Sequence, residues 1–188
     1  MSEHAPPPAD PKALRALAHP LRWKLLDLIG SEDSATATRC AEVLGESVAS
    51  CSYHLGILGK YGYIEPVSDQ AGREKPWRLA SWRQMFDPQG LDVDGKLAAE
   101  AAAEAFLDHE LARIKARMRS GSLEPTVWQP RFEGMTTWLT EAEFTALKEQ
   151  LRSVLEPFGS RSEDPGLRPA GSREARLFYA ASVAHRRG

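Results

Sequence analysis

Arg39 to Leu79, RCAEVLGESVASCSYHLGILGKYGYIEPVSDQAGREKPWRL, is the stretch that decides the fold. Thr36 is placed to cap a helix that buries Cys40, Ala41 and Leu44 and stops at Gly45, whose backbone freedom suits the turn. Ser47 can then cap a second helix, over 47–59, in which Cys51, Leu55 and Leu58 recur at spacings of four and three and form a core-facing stripe. Gly62 ends that pattern. Tyr63 to Val67 and Pro76 to Ala80 form two short β-like runs around a polar turn, Ser68 to Lys75. Two short helices, a tight turn and a hairpin in this order predict a winged helix-turn-helix. The expected fold class is therefore mainly α with a small β-hairpin wing.

The face of the second helix opposite its stripe carries Ser47, Ala49, Ser50, Ser52, Tyr53 and His54, with Lys60 at the end. Short Ser and Ala side chains let a helix backbone approach base edges in a major groove, and Tyr and His can reach bases or phosphates. Arg73 and Lys75 at the hairpin tip are placed to meet a phosphate backbone, where neutralised phosphates release counterions. Their contribution is to position, not to read.

The run AHPLRWKLLDLI at 18–29, followed by SYHLGILGKYGYIE at 52–65, resembles the ArsR-type winged-helix transcriptional regulators, in particular the branch with a Ser-Tyr-His-Leu recognition helix. The resemblance covers roughly Ala13 to Ala80, less than half the chain. It implies a cytoplasmic, homodimeric regulator that binds a double-stranded DNA operator, often under the control of a metal or another small signal. The chain departs from the family at Glu46, where an apolar residue is usual, and at Val48, where a polar residue such as Gln is common. Val48 could touch a thymine methyl or turn into the core beside Cys51.

Metal sensing requires clustered thiol, imidazole or carboxylate ligands. Cys40 and Cys51 stand apart with no CxC or CxxC pair, and both lie on apolar stripes. Asp108, His109 and Glu110 are adjacent, so they point in different directions around a helix. No metal and no cofactor is expected. A nucleophile elbow, phosphate loop, metalloprotease pair or nucleotide fingerprint is also lacking, so the chain does not read as an enzyme.

The chain has 188 residues, 42% of them hydrophobic, and a formal net charge of −2. From Pro11 to Arg83 there are 10 Lys and Arg against 8 Asp and Glu, so the acidity lies outside the candidate reading domain. That excess is slight, and a dimer bound to two half-sites is the expected remedy. The near-neutral charge also keeps open an alternative, a winged-helix protein-interaction module that does not bind DNA.

Around this domain, assigned to 12–82, residues 1–11 are Pro-rich and polar and read as a disordered tail, without signal-peptide character. Lys96 to Arg119 reads as one long helix. Leu97, Ala101, Leu107, Leu111, Ile114 and Met118 are its candidate dimerisation residues; packing on its own domain is the simpler use for it. Residues 120–188 form an accessory α-rich region. In it, Trp128, Phe132, Trp138 and Phe144 could be core or could line a pocket for an unidentified effector. Thr140 and Glu143 make a capping box, 159–171 reads as a linker, and Ala175–Ala184 as a strand.

Overall fold

A computed structural model describes residues 10–67, 74–81, 90–119 and 133–183. It opens with α1 (Pro11–Leu17) and α2 (Pro20–Ser31), each begun by a proline in its first turn. The Asp10 carboxylate caps the first helix and the His19 ring the second, accepting from the Lys12 and Leu21 amides respectively.

The helix-turn-helix follows as α3 (Ala37–Leu44) and α4 (Val48–Lys60). Thr36 Oγ1 accepts from the Arg39 amide at 3.2 Å, and Ser47 Oγ accepts from the Ser50 amide at 3.1 Å. Gly45 ends α3 with φ at 68°, a left-handed conformation that a side chain would strain. Both caps and the turn residue are those expected from the sequence, because these signals are local.

Two antiparallel strands, β1 (Ile64–Pro66) and β2 (Trp77–Leu79), make the wing in the register Ile64 to Leu79 and Pro66 to Trp77. The Ala35 and Trp77 backbones exchange hydrogen bonds of 3.0 and 2.9 Å, so the segment before α3 serves as a partial third strand. From the turn of the wing, the Glu74 carboxylate accepts from Thr38 N at 2.9 Å and Thr38 Oγ1 at 2.8 Å. That acid sits against free amides in the first turn of α3, where the helix dipole favours it. Residues 68–73, which carry most of the expected hairpin tip including Arg73, lie outside the described residues.

The core lies among these elements and is closed by α5 (Val93–Arg119). Leu17, Trp23, Leu25 and Ile29 meet Cys40, Cys51, Leu55, Leu58 and Ile64, all essentially without solvent contact. Ala98, Ala99 and Ala102 of α5 are buried against them, their small side chains allowing close helix approach.

Beyond α5 come α6 (Glu141–Leu155) and α7 (Ser160–Glu163), the latter flanked by single 3₁₀ turns at Glu156–Phe158 and Pro165–Leu167. The capping box of α6 is formed by Thr140 and Glu143 as expected. Two expectations are corrected. The stretch 159–171 is not a plain linker: it holds α7 and a 3₁₀ turn that Pro165 begins and the Asp164 carboxylate caps. Residues 175–183 form no strand, because their anchors are side-chain contacts to α2 and α5 and they pair with no described strand. Trp128 and Phe132 lie outside the described residues, while Trp138 is exposed and Phe144 half-buried under Lys148, so these two do not line a pocket together.

Candidate nucleic-acid interface

The helical repeat divides α4 into two faces. Cys51, Leu55 and Leu58 are buried, whereas Ser47, Val48, Ala49, Ser52 and Tyr53 are exposed and Ser50 is half-buried. Val48 is 47% exposed and Tyr53 is 65% exposed, so the first residue has not turned into the core and the second projects from the helix. Lys60 extends the exposed side at the C-terminal end, where its charge suits the helix dipole. Lys75 is also exposed, on the wing.

His54 does not share that face. It is only 8% exposed, and its Nδ1 accepts a hydrogen bond from Arg22 Nε at 3.2 Å. Its ring lies 4.4 Å from that of His19. Arg22 reaches on to the carbonyl of Ala16, near the end of α1. One position after Tyr53, the helical step of about 100° carries the side chain from the exposed flank into this polar seam between α2 and α4. Spacing alone cannot separate a groove-facing from an inward-facing histidine there; the available signal is Arg22, a cation in the first turn of the otherwise mostly buried α2. Burial first, then electrostatic repulsion from His19 and Arg22, hold the His54 imidazole below its ordinary pKa, with Glu46 opposing.

The wing is locked to α4 by Trp77. A Cβ on Gly59 would stand 2.6 Å from the Trp77 ring, so only glycine lets the indole lie on the helix. The exposed pair Arg78 and Glu65, at 2.7 Å, crosses the two strands.

The cysteines are not placed as sensors. Both are free and buried; burial, with Cys51 nearby, pushes the Cys40 thiol up to about 11, and burial likewise raises Cys51. Among the described residues there is no group of three or more metal-ligating side chains. His109 and Glu110 are engaged otherwise, the first with Asp27 and the second with Arg176.

On α5 two faces separate as well. Gly95, Ala98, Ala99, Ala102 and Glu110 are buried toward the domain. Leu97, Ala101, Leu107, Leu111 and Met118 are exposed, and Ile114 is half-buried. At 3.6 residues per turn this second set spans the side opposite the first. The helix therefore packs on its own domain and leaves Leu97, Leu107, Leu111 and Met118 outward, interspersed with the exposed Glu100, Glu104 and Lys115.

These elements define a winged helix-turn-helix with an α-rich C-terminal extension. No family model and no curated protein matches the chain. Among solved structures it is similar to the heme sensor protein PefR from Streptococcus agalactiae in complex with heme, at 18% identity over 79% of each chain and a TM-score of 0.31. So loose an overlay equates neither the folds nor the functions. Among the described residues no helix is long and apolar enough to cross a membrane.

Proposed function

We propose that this chain is a DNA-binding transcriptional regulator of the ArsR type, acting as a cytoplasmic homodimer. The observation that carries the reading is the two-faced α4: its apolar stripe is sealed in the core, while Ser47, Val48, Ala49, Ser52 and Tyr53 stand exposed at the head of a helix-turn-helix. In this reading α4 enters the major groove, with Ser50 and Ser52 close to the backbone and Tyr53 reaching a base or phosphate. Lys60, Lys75 and Arg73 neutralise adjacent phosphates. His54 acts from inside, by fixing the tilt of α4 on α2.

The outward apolar residues of α5 support the dimer, with Leu107, Leu111 and Met118 as the larger members. Two linked heads make up for the small positive excess of one. That excess also favours the second reading, a winged-helix module that binds a protein: Lys60 is the only cation within α4, and Glu46 precedes it.

Selection of binding sites from random duplex DNA by the full-length chain tests the first reading. Enrichment of a two-fold symmetric site supports it, and the half-site separation reports the dimer geometry. Absence of any enriched or retarded duplex at low salt supports the interaction module.

A further inference from the structure

The first half of α5 packs directly on the domain core, whereas its second half meets α2 through a polar cluster that residues 168–178 complete. Asp27 of α2 is the hub: its Oδ2 accepts from His109 Nε2 at 2.7 Å and from Arg113 at 2.8 Å, both on α5. Burial works to raise the Asp27 carboxyl, but these hydrogen bonds and charges outweigh it and hold it below the ordinary range. Arg176 reaches the other oxygen of Asp27 at 3.5 Å.

The same guanidinium grips Glu110, which is only 1% exposed, with Nε donating to Oε2 at 3.3 Å and a second donor on Oε1. Two residues on, Phe178 meets the edge of Phe106 at 5.9 Å between centroids, and Phe106 leans on Trp23 at 5.0 Å. Upstream, Arg168 pairs with Asp33 at 3.0 Å, just beyond the end of α2. A shallow, open depression of about 30 Å³ adjoins Arg176, bounded by Trp23 and Leu26 of α2 and by Leu79 of the wing.

A carboxylate removed from water requires a partner charge or hydrogen bonds, and a planar guanidinium, with five donors in a fixed fork, can serve two carboxylates at once. The joint thus has the chemistry of a receptor: two acids from different helices, an aromatic wall, and a shallow depression leading to the wing. We propose that the α2–α5 joint is a binding site for an arginine-plus-aromatic segment, filled here in cis by Arg176 and Phe178, and that emptying it changes the set of α5 against the reading domain. Withdrawal of Arg176 takes from the buried Glu110 the cation that hydrogen-bonds it, a cost that opening of the joint to water relieves. The seat stands on geometry alone. Its consequence for operator binding rests on the proposed function.

The test uses the full-length chain carrying Ala180→Cys, an exposed position, labelled with a maleimide dye; Cys40 and Cys51 are buried. Steady-state anisotropy is compared with that of the labelled free peptide REARLFYAASV, residues 173–183. The expected wild-type value is well above the peptide's, and Arg176→Ala and Glu110→Gln each bring it down. Excess unlabelled peptide lowers it too, whereas the same peptide with alanine in place of Arg176 and Phe178 does not. Should Arg176→Ala fail to fold, the Arg176→Ala/Glu110→Gln pair removes the stranded charge and must show the lowered anisotropy.

A wild-type label as mobile as the free peptide overturns the proposal, as does a value unmoved in both Arg176→Ala and the pair. Operator binding measured on the same proteins separates the two readings. Anisotropy that responds as expected in a chain that binds no duplex refutes DNA binding and leaves the seat intact. Operator bound equally well with an unmoved label refutes the seat and leaves DNA binding intact.

Discussion

Arg22 Nε donates to His54 Nδ1 at 3.2 Å, so the helix bearing the exposed Tyr53 is tied to α2 through the residue next to it. The bond requires an unprotonated Nδ1. A proton added to His54 would face Arg22 and His19 across the seam, with Glu46 the acid opposing them.

The pKa of His54 is therefore lower in the folded chain than in the unfolded one, and the unfolded state binds the proton first. Its contribution to stability is full above about pH 6.5 and falls as pH drops below that value, levelling off beneath the folded pKa. Urea denaturation from pH 7.5 to 5 is expected to show a loss of midpoint in the wild type that is smaller in His54→Gln. Equal slopes in the two proteins would refute this account of the seam.

Gly59 and Trp77 make a second prediction. Gly59→Ala gains about 1 kcal/mol in helix propensity but forces the indole away, and overpacking of that kind costs roughly 1–3 kcal/mol. With the added Cβ 2.6 Å from a large ring, the packing cost prevails and a net loss near 1 kcal/mol is expected. Trp77→Leu in the Gly59→Ala background should recover part of it. A Gly59→Ala protein more stable than wild type would mean that the wing does not rest on α4.

The cysteines should be silent in the native state. Burial and the raised thiol pKa values leave little thiolate at neutral pH, so a thiol-specific disulfide reagent is expected to label neither residue until denaturant is added and then to label both. Rapid labelling of the folded chain would reopen a thiol-based signal.

Dimerisation is the fourth case. Leu111→Asp places a charge among the outward apolar residues while leaving the buried face of α5 untouched. Sedimentation at micromolar concentration is expected to give a dimer for wild type and a monomer for the variant, with helix content unchanged. A monomeric wild type would remove the basis for paired half-sites.

Local chemistry made most of the winged helix-turn-helix legible in the sequence. Thr36, Gly45, Ser47 and the Cys51, Leu55, Leu58 stripe act within one or two turns, and the structure places all of them as expected. The long helix is also legible, although it starts three residues earlier, at Val93. What escaped are contacts between residues distant in sequence. His54 lies at the border of the two faces of α4, and only the position of Arg22, 32 residues away, decides its side. Asp27 and Arg176, 149 residues apart, belong to no motif, and the apolar run after Arg176 imitates a strand because Phe178 is needed against Phe106. An apolar periodicity identifies a buried surface without identifying what buries it.

On the exposed face of α4, proposed to read DNA, Tyr53 is the most prominent side chain. The direct measurement is the affinity of wild type and Tyr53→Ala for a selected operator and for a scrambled duplex, across a salt series. We expect wild type to favour the operator, with affinity that falls steeply as salt rises, and Tyr53→Ala to lose about tenfold on the operator and little on the scrambled duplex, since one good base contact is worth roughly 1–3 kcal/mol. A Tyr53→Ala protein with undiminished affinity and preference, or a wild type that binds neither duplex at low salt, would contradict the account.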